Sequence, residues 1–356
     1  MKLKDTPAIK KMAKELGLTR VSNAEEAIRE YCVRKVEKII EPLGRPNDLN
    51  QLLAIVSSSL RLKFEEVNTD YDLFEISQEY LGKGEIIFGD LHQQLDEETD
   101  AIVISLSHTQ SWEPKYVAVV DCRGHKAWRA YFSKWHEVGH VLTQPAQMSF
   151  KFRRTPTKKK EPEEQLTDRV AGDLAFYSPL FLPELLARIQ NDKRLTFGVI
   201  EELRMTICPG ASREATIRGA VSRTPFPQLF VVADYGFKKD EQRVINTTQM
   251  DLFPDNEIPY LPKLRAVEVI GNASAQKTGL WIHPNMEVPQ ESIVADAYHD
   301  SSSRHQIYSA TENLNCWKHS RGELQTMPIY VEATKVGNRV FALICQNSFH
   351  INNTSN

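Results

Sequence analysis

The chain has 356 residues, 41 % hydrophobic and 26 % charged, with 44 Lys and Arg against 47 Asp and Glu and a formal net charge of −3. That is the balance of an ordinary soluble globular protein, and the length suffices for two domains with separate cores. It argues against a polybasic protein that wraps a nucleic acid, and no run approaches the roughly 18 apolar residues that span a bilayer.

Met1-Lys2-Leu3-Lys4-Asp5 is basic but has no apolar core or cleavage site, so no secretory signal is expected. Apolar spacing predicts helices over 6–16 and 23–40. The first stops near Gly17, and Ser22-Asn23-Ala24-Glu25 reads as a capping box for the second. Asn47 or Asp48 then caps an apolar helix through Leu60. Residues 63–67, 85–89, 101–106 and 116–121 alternate or run apolar, as strands do.

The next segment carries bulky apolar residues at 128, 131, 132, 135, 138, 141 and 142, steps of three and four that mark a helix. Within it stands His136-Glu137-Val138-Gly139-His140. At i and i+4 both imidazoles leave one face about 6 Å apart, within reach of one tetrahedral ion at roughly 2.0–2.1 Å. Glu137 points about 100° further round, placed to take a proton from a water that zinc acidifies toward a pKa of about 7. Gly139 costs about 1 kcal/mol of helix propensity, and its small size would let another backbone or a substrate come close. Thr143, Gln144 and Pro145 end the run.

Residues 151–160, Lys-Phe-Arg-Arg-Thr-Pro-Thr-Lys-Lys-Lys, read as a solvated loop. Their functional alternatives are a rim that steers an acidic partner and a loop masking a cleft. One aromatic among the charges is no stacking platform, so direct nucleic-acid binding is not expected.

A second helix follows, with Leu166, Val170, Ala171, Leu174 and Ala175 on one face after acidic residues that suit a helix N-terminus. A catalytic zinc needs a third protein ligand and an open position. Two carboxylates compete for that role. Asp168 sits one turn ahead of Ala171 and Gly172, small residues that would allow tight packing on the motif helix. Alternatively Glu164 binds the metal while Asp168 holds a histidine Nδ1–H.

These two motifs resemble those of the ImmA/IrrE-type zinc metallopeptidases. In that family an aromatic or apolar lead-in runs into His-Glu-x-x-His, and Glu-x-x-Ala-Asn-x-Phe-Ala follows about a helix and a loop later. Here the lead-in is Arg129-Ala130-Tyr131-Phe132-Ser133, and the second motif is Asp168-Arg169-Val170-Ala171-Gly172-Asp173-Leu174-Ala175. Asp168 stands where the family has its ligand Glu, and Gly172 replaces Asn. On that register the resemblance makes His136, His140 and Asp168 the zinc ligands and Glu137 the catalytic base. It covers residues 25 to about 222. It further implies a helical lead, a small sheet and a motif helix in the zincin arrangement, where an edge strand pairs with an extended peptide. Residues 116–121 or 85–89 are the candidates for that edge. Phe197 to Leu203 and Gly210 to Arg218 resemble the short helices that follow.

Arg223-Thr224-Pro225-Phe226-Pro227 is the expected domain boundary. Beyond it, strands are predicted at 229–233, 266–270, 279–283, 306–310, 328–333 and 340–345, with Lys335-Val336-Gly337-Asn338 as a hairpin turn. His283, Cys316, His319 and Cys345 fit no zinc spacing. The five cysteines (32, 122, 208, 316, 345) are odd in number and scattered, which reads as free thiols in a reducing cytosol.

The expected fold is therefore α+β: an N-terminal helical extension over 1–24, a zincin-like metallopeptidase domain over 25–222, and a β-rich domain over 226–350. By resemblance the last is GAF-like, a sensor or partner-binding domain. The expected function is that of a cytoplasmic, zinc-dependent endopeptidase. Its implied substrate is a helix-turn-helix (XRE-type) transcriptional repressor cleaved in a stress or mobile-element response. The competing expectation is a catalytically weak or inactive zincin acting as a ligand-sensing regulatory or binding module.

Overall fold

The computed structural model describes residues 5–107, 109–143, 151–154, 161–190, 193–250, 260–300, 306–319 and 322–347. The chain is α+β and divides into two compact units: Met1–Glu184 with Leu203–Thr216, and Leu185–Glu202 with Ile217–Asn356. The Pro-rich stretch 223–227 lies inside the second unit.

The first unit opens with α1 (Pro7–Glu15), α2 (Ala24–Ile40) and α3 (Leu49–Ser59). Each is started by a side chain that accepts an otherwise orphaned backbone N–H: Thr6 from Ile9, Asn23 from Glu26, Asp48 from Gln51. The cap on α2 is thus Asn23, one residue later than Ser22, and the Glu26 carboxylate takes its side-chain Nδ2–H at 3.0 Å in place of the backbone N–H that a capping box would use. Strand β1 (Leu62–Val67) leads to α4 (Asp70–Gly82), which sequence reading passed over. Its Thr69–Asp72 capping box was visible in the sequence, but Tyr71 and Phe74 are exposed and blur its apolar stripe. The short α5 (Leu91–Gln94), β2 (Ala101–Ser105), β3 (Tyr116–Asp121), α6 (Ala130–Thr143), β4 (Lys151–Arg154) and α7 (Pro162–Ala175) follow.

These strands form one sheet in the order β1-β3-β2-β4, with β1 parallel to β3 and β2 antiparallel to both β3 and β4. Alternation splits the two inner strands by size. Ile102, Ile104, Val117 and Val119 join a core with Leu73, Ile76, Tyr80 and Phe88 of the α4 side. Ala101, Val103, Ala118 and Val120 point the other way, and α6 packs against β2 and β3.

Three expectations change here. Residues 85–89 form no strand: Ile86–Asp90 is a 3-10 turn in which Phe88 stacks on Tyr80 at 4.3 Å while Ile86 stays exposed, so one anchor residue replaces alternation. Residues 116–121 form an interior strand, so neither candidate for the sheet edge is one. Lys151–Arg154, read as solvated loop, is the edge strand β4; residues 144–150 and 155–160 lie outside the described residues.

Helices α8 (Ser178–Ile189), α9 (Phe197–Thr206) and α10 (Arg213–Arg223) lie where the chain passes between units. Ser212 starts α10 by accepting from Ala215 N–H at 3.2 Å. The second unit contains β5 (Gln228–Gly236), α11 (Lys239–Met250), β6 (Lys263–Gly271), α12 (Ala273–Thr278), α13 (Ile293–His299) and β7 (Ile307–Asn313). It continues with β8 (Lys318–His319), β9 (Gly322–Glu323), β10 (Pro328–Val336) and β11 (Arg339–Gln346). Its antiparallel sheet has the order β6-β5-β11-β10-β7, and β8 pairs only with β9 among the described residues. Gly337, at φ +61°, opens the two-residue turn between β10 and β11, where a side chain would be strained. The strand expected at 279–283 is absent. Gly279 ends α12 in the left-handed region, and Leu280 and Ile282 fill the core from irregular chain, which imitates strand alternation.

Candidate metal centre

Helix α6 begins at Ala130, after a 3-10 turn over Gly124–Arg129. Trp128, counted on its apolar face, lies in that turn and is 75 % exposed. Tyr131, Trp135, Val138, Val141 and Leu142 are buried as the three- and four-residue spacing requires.

The close approach anticipated at Gly139 is made by α7. A Cβ there would sit 3.0 Å from Thr167 Cγ2 and 3.6 Å from Val170 Cγ1, so glycine lets the two helices meet. Gly172, expected to give that close contact from the α7 side, has nothing within 4 Å of an added Cβ. Tyr131 Oη–H donates to the Ala175 carbonyl at 2.6 Å and fixes the other end of the pair. From outside, α2 holds α7 through a two-point contact of Arg29 with Asp173 at 2.7 and 2.8 Å and a pair between Arg169 and Glu25. Tyr131 and Arg169 therefore brace the helices. Tyr177, just past the end of α7, is buried, and burial pushes its hydroxyl up to about 12.

Four side chains converge in this frame. His136 Nε2 lies 3.0 Å from His140 Nε2 and 3.1 Å from Glu164 Oε2, and His140 Nε2 lies 3.4 Å from Glu164 Oε1. Asp168 stands behind His136, its Oδ1 3.0 Å from Nδ1. The expected third ligand Asp168 thus meets the opposite nitrogen from the one facing the cluster, and Glu164 takes the facing position. The two acids are one turn apart on α7, so helix spacing alone could not choose between them. Among the described residues, His136, His140 and Glu164 are the group whose donor atoms come within 4.8 Å of one another.

The chemistry of this donor set suits a divalent cation. With Nδ1–H given to Asp168, His136 presents the Nε2 lone pair to a carboxylate oxygen and to a second imidazole nitrogen. Such a contact needs a proton or a cation shared between the facing atoms. Four ligands at roughly 2.0–2.1 Å in a tetrahedron are about 3.3 Å apart, and the separations here are 3.0 to 3.4 Å. Burial pushes His140 below its ordinary pKa, keeping the ring in the neutral form that ligates metal. Burial opposes the charge on Glu164, but hydrogen bonds to His136 and His140 outweigh it and hold the carboxyl well below the usual range.

Both histidines are buried, whereas the Glu164 side chain keeps 24 % exposure. The partly exposed member of the cluster is therefore the one that α7 supplies. Glu137 is fully buried one position along α6 from His136.

No known family profile and no curated protein matches the chain. Among the solved structures that match, a Mycobacterium tuberculosis transcriptional regulator aligns at 10 % identity and a TM-score of 0.43 over 90 % of this chain and 81 % of that one. A likeness that weak carries no argument about fold or function.

Proposed function

We propose that this chain is a zinc-dependent endopeptidase of the zincin type, with His136, His140 and Glu164 holding the metal. The observation that carries the reading is the convergence of two imidazole Nε2 atoms and one carboxylate, with Asp168 on the outer nitrogen of His136. Bound there, zinc would supply Lewis acidity to a peptide carbonyl and lower the pKa of water. Asp168 orients the His136 ring and raises its basicity. Glu137 takes the proton from the attacking water and returns it to the leaving amine.

Support for the substrate comes from the sequence resemblance alone: a helix-turn-helix (XRE-type) repressor, in a stress or mobile-element response. The antiparallel second unit is proposed as a sensor or partner-binding domain. A cytoplasmic site of action is supported by five free cysteines. No helix of the described residues is long and apolar enough to cross a membrane.

The deciding experiment pairs metal analysis with proteolysis. Purified protein should carry about one zinc per chain, lost in His136→Ala, and should cut a protein substrate at a defined bond. Protein that binds no zinc under saturating metal sinks the reading. Complete burial of Glu137 favours a second reading, a zinc-holding regulatory module that does not cleave; stoichiometric zinc without hydrolysis would support it.

A further inference from the structure

The five-stranded sheet of the second unit ends in β6 on one side and β7 on the other. An open edge presents a row of N–H and C=O groups to any passing strand, and proteins blunt it with charge, bulges or covering chain. The β6 edge has all three. Lys263, Arg265 and Glu268 lie along it, and its register against β5 shifts between Val232 and Ala233. Residues 285–288 run beside it, with Asn285 N–H donating to the Ala266 carbonyl at 2.8 Å and Val288 N–H to the Leu264 carbonyl at 2.9 Å.

The β7 edge is built otherwise. Ile307-Tyr308-Ser309-Ala310-Thr311-Glu312-Asn313 holds a single charged residue, Glu312. Its carboxylate is taken up within the unit, accepting from Ser292 Oγ–H at 3.0 Å and Ile293 N–H at 2.9 Å. The strand pairs with β10 in unbroken register and contains no proline.

Which backbone groups face outward follows from the register. Asn347 N–H donates to the Pro328 carbonyl at 3.0 Å, so the even-numbered residues of β10 turn toward β11 and the odd-numbered ones toward β7. Their partners Tyr308, Ala310 and Glu312 therefore bond β10, while Ile307, Ser309, Thr311 and Asn313 turn N–H and C=O away from the sheet. Among the described residues no backbone group meets them there. Ile307, Ser309 and Thr311 are also exposed as side chains.

We propose that β7 is a dimerisation edge, on which two copies of this chain pair antiparallel about a twofold axis at Ala310, making one continuous sheet across both. The strand suits a copy of itself, as a twofold contact requires. An axis at Ala310 overlaps the whole of β7 and sets Ile307 opposite the second copy's Asn313, Tyr308 opposite its Glu312 and Ser309 opposite its Thr311. No charge then faces a like charge, and the Ser and Thr hydroxyls meet across the pair. An uncharged edge offers no counter-charge to select an acidic or basic foreign peptide.

Sedimentation velocity on the full-length chain over a rising concentration series tests this. The mass should approach twice that of one chain. Thr311→Pro removes an outward N–H and leaves the β10 bonds in place, a position where an edge strand tolerates proline. Self-association should weaken at least about tenfold, since the twofold axis deletes the bond twice.

A second test does not depend on the proline being tolerated. Ser309→Lys with Thr311→Lys sets like charges opposite one another in a homodimer, and so does Ser309→Glu with Thr311→Glu. Each double variant alone should stay monomeric, and an equimolar mixture should dimerise, because every Lys then faces a Glu. A wild-type chain that stays monomeric throughout, a Thr311→Pro variant that associates as the wild type does, or a mixture that stays monomeric overturns the proposal.

Discussion

Two buried charges of the second unit are held differently from the histidine and carboxylate cluster of the first. In the second, Arg265 and Glu332 are buried, and each is tied to backbone. Arg265 Nε and Nη1 donate to the carbonyls of Gly236 and Asn285, both at 3.2 Å, and Glu332 accepts from Phe197 N–H at 2.8 Å and Tyr330 Oη–H at 3.1 Å. In the first, His136, His140 and Glu164 turn their polar atoms toward one another across two helices. A buried polar group held by backbone stabilises a fold, because its desolvation is offset by bonds already present. Ionisable side chains that converge on a common point need something placed between them. The difference separates a structural ion from a candidate site more sharply than burial does.

The largest expected effect tests that distinction directly. Glu137→Gln should keep zinc and reduce hydrolysis about 10²–10⁴-fold, read as turnover against metal content in the same preparation. Next, the two acids of α7 should separate. Glu164→Ala should strip the metal, whereas Asp168→Ala should retain binding weakened about 10–100-fold, both measured by competition with a chelator. Loss of metal in the Asp168 variant with retention in the Glu164 variant would reverse the assignment.

A smaller effect is expected in the second unit. Glu332→Ala leaves the Phe197 N–H without its acceptor and should cost about 1–3 kcal/mol in denaturant unfolding, with zinc content unchanged. A fall in zinc would show that this carboxylate is more than structural.

Acid should move the units in opposite directions at two groups, the smallest effect of the series. Burial works against ionised Asp121, but hydrogen bonds from Arg123 and Lys126 outweigh it and hold its pKa below 3.8. Between the folded value and 3.8 the unfolded chain binds more protons, so this stabilisation is present above 3.8 and lost as pH falls. Burial raises Glu312 above 4.5, against hydrogen bonds from Ile293 N–H and Ser292 Oγ–H. There the folded form holds more protons, and stability falls as pH rises from 4.5 through the folded value. Asp121→Asn should flatten the acid limb of the stability profile, and Glu312→Gln should remove the loss above pH 4.5.

Particular residues show where sequence reading worked and where it ran out. The cap at Asp48, one of two candidates, and most strands of the second unit were legible, because capping and alternation are local. Residues 85–89 were misread because a short apolar run has no length to reveal its period. Strand β4 was missed because Lys, Phe and two Arg look like solvated chain, and only pairing with β2 makes them a strand. Glu25, Arg29 and Asp173, which hold α7 in place, are far apart in sequence and carry no motif.

By itself the sequence determined that His136 and His140 share a face beside Glu137, since backbone hydrogen bonds within one helix enforce the four-residue spacing wherever that helix lies. Only the tertiary structure set Glu164 at the cluster and Asp168 behind the ring. Both acids point from the same stripe of α7, and the choice between them depends on where that helix meets α6, a distance set by the missing side chain of Gly139 against Thr167 and by the brace from α2.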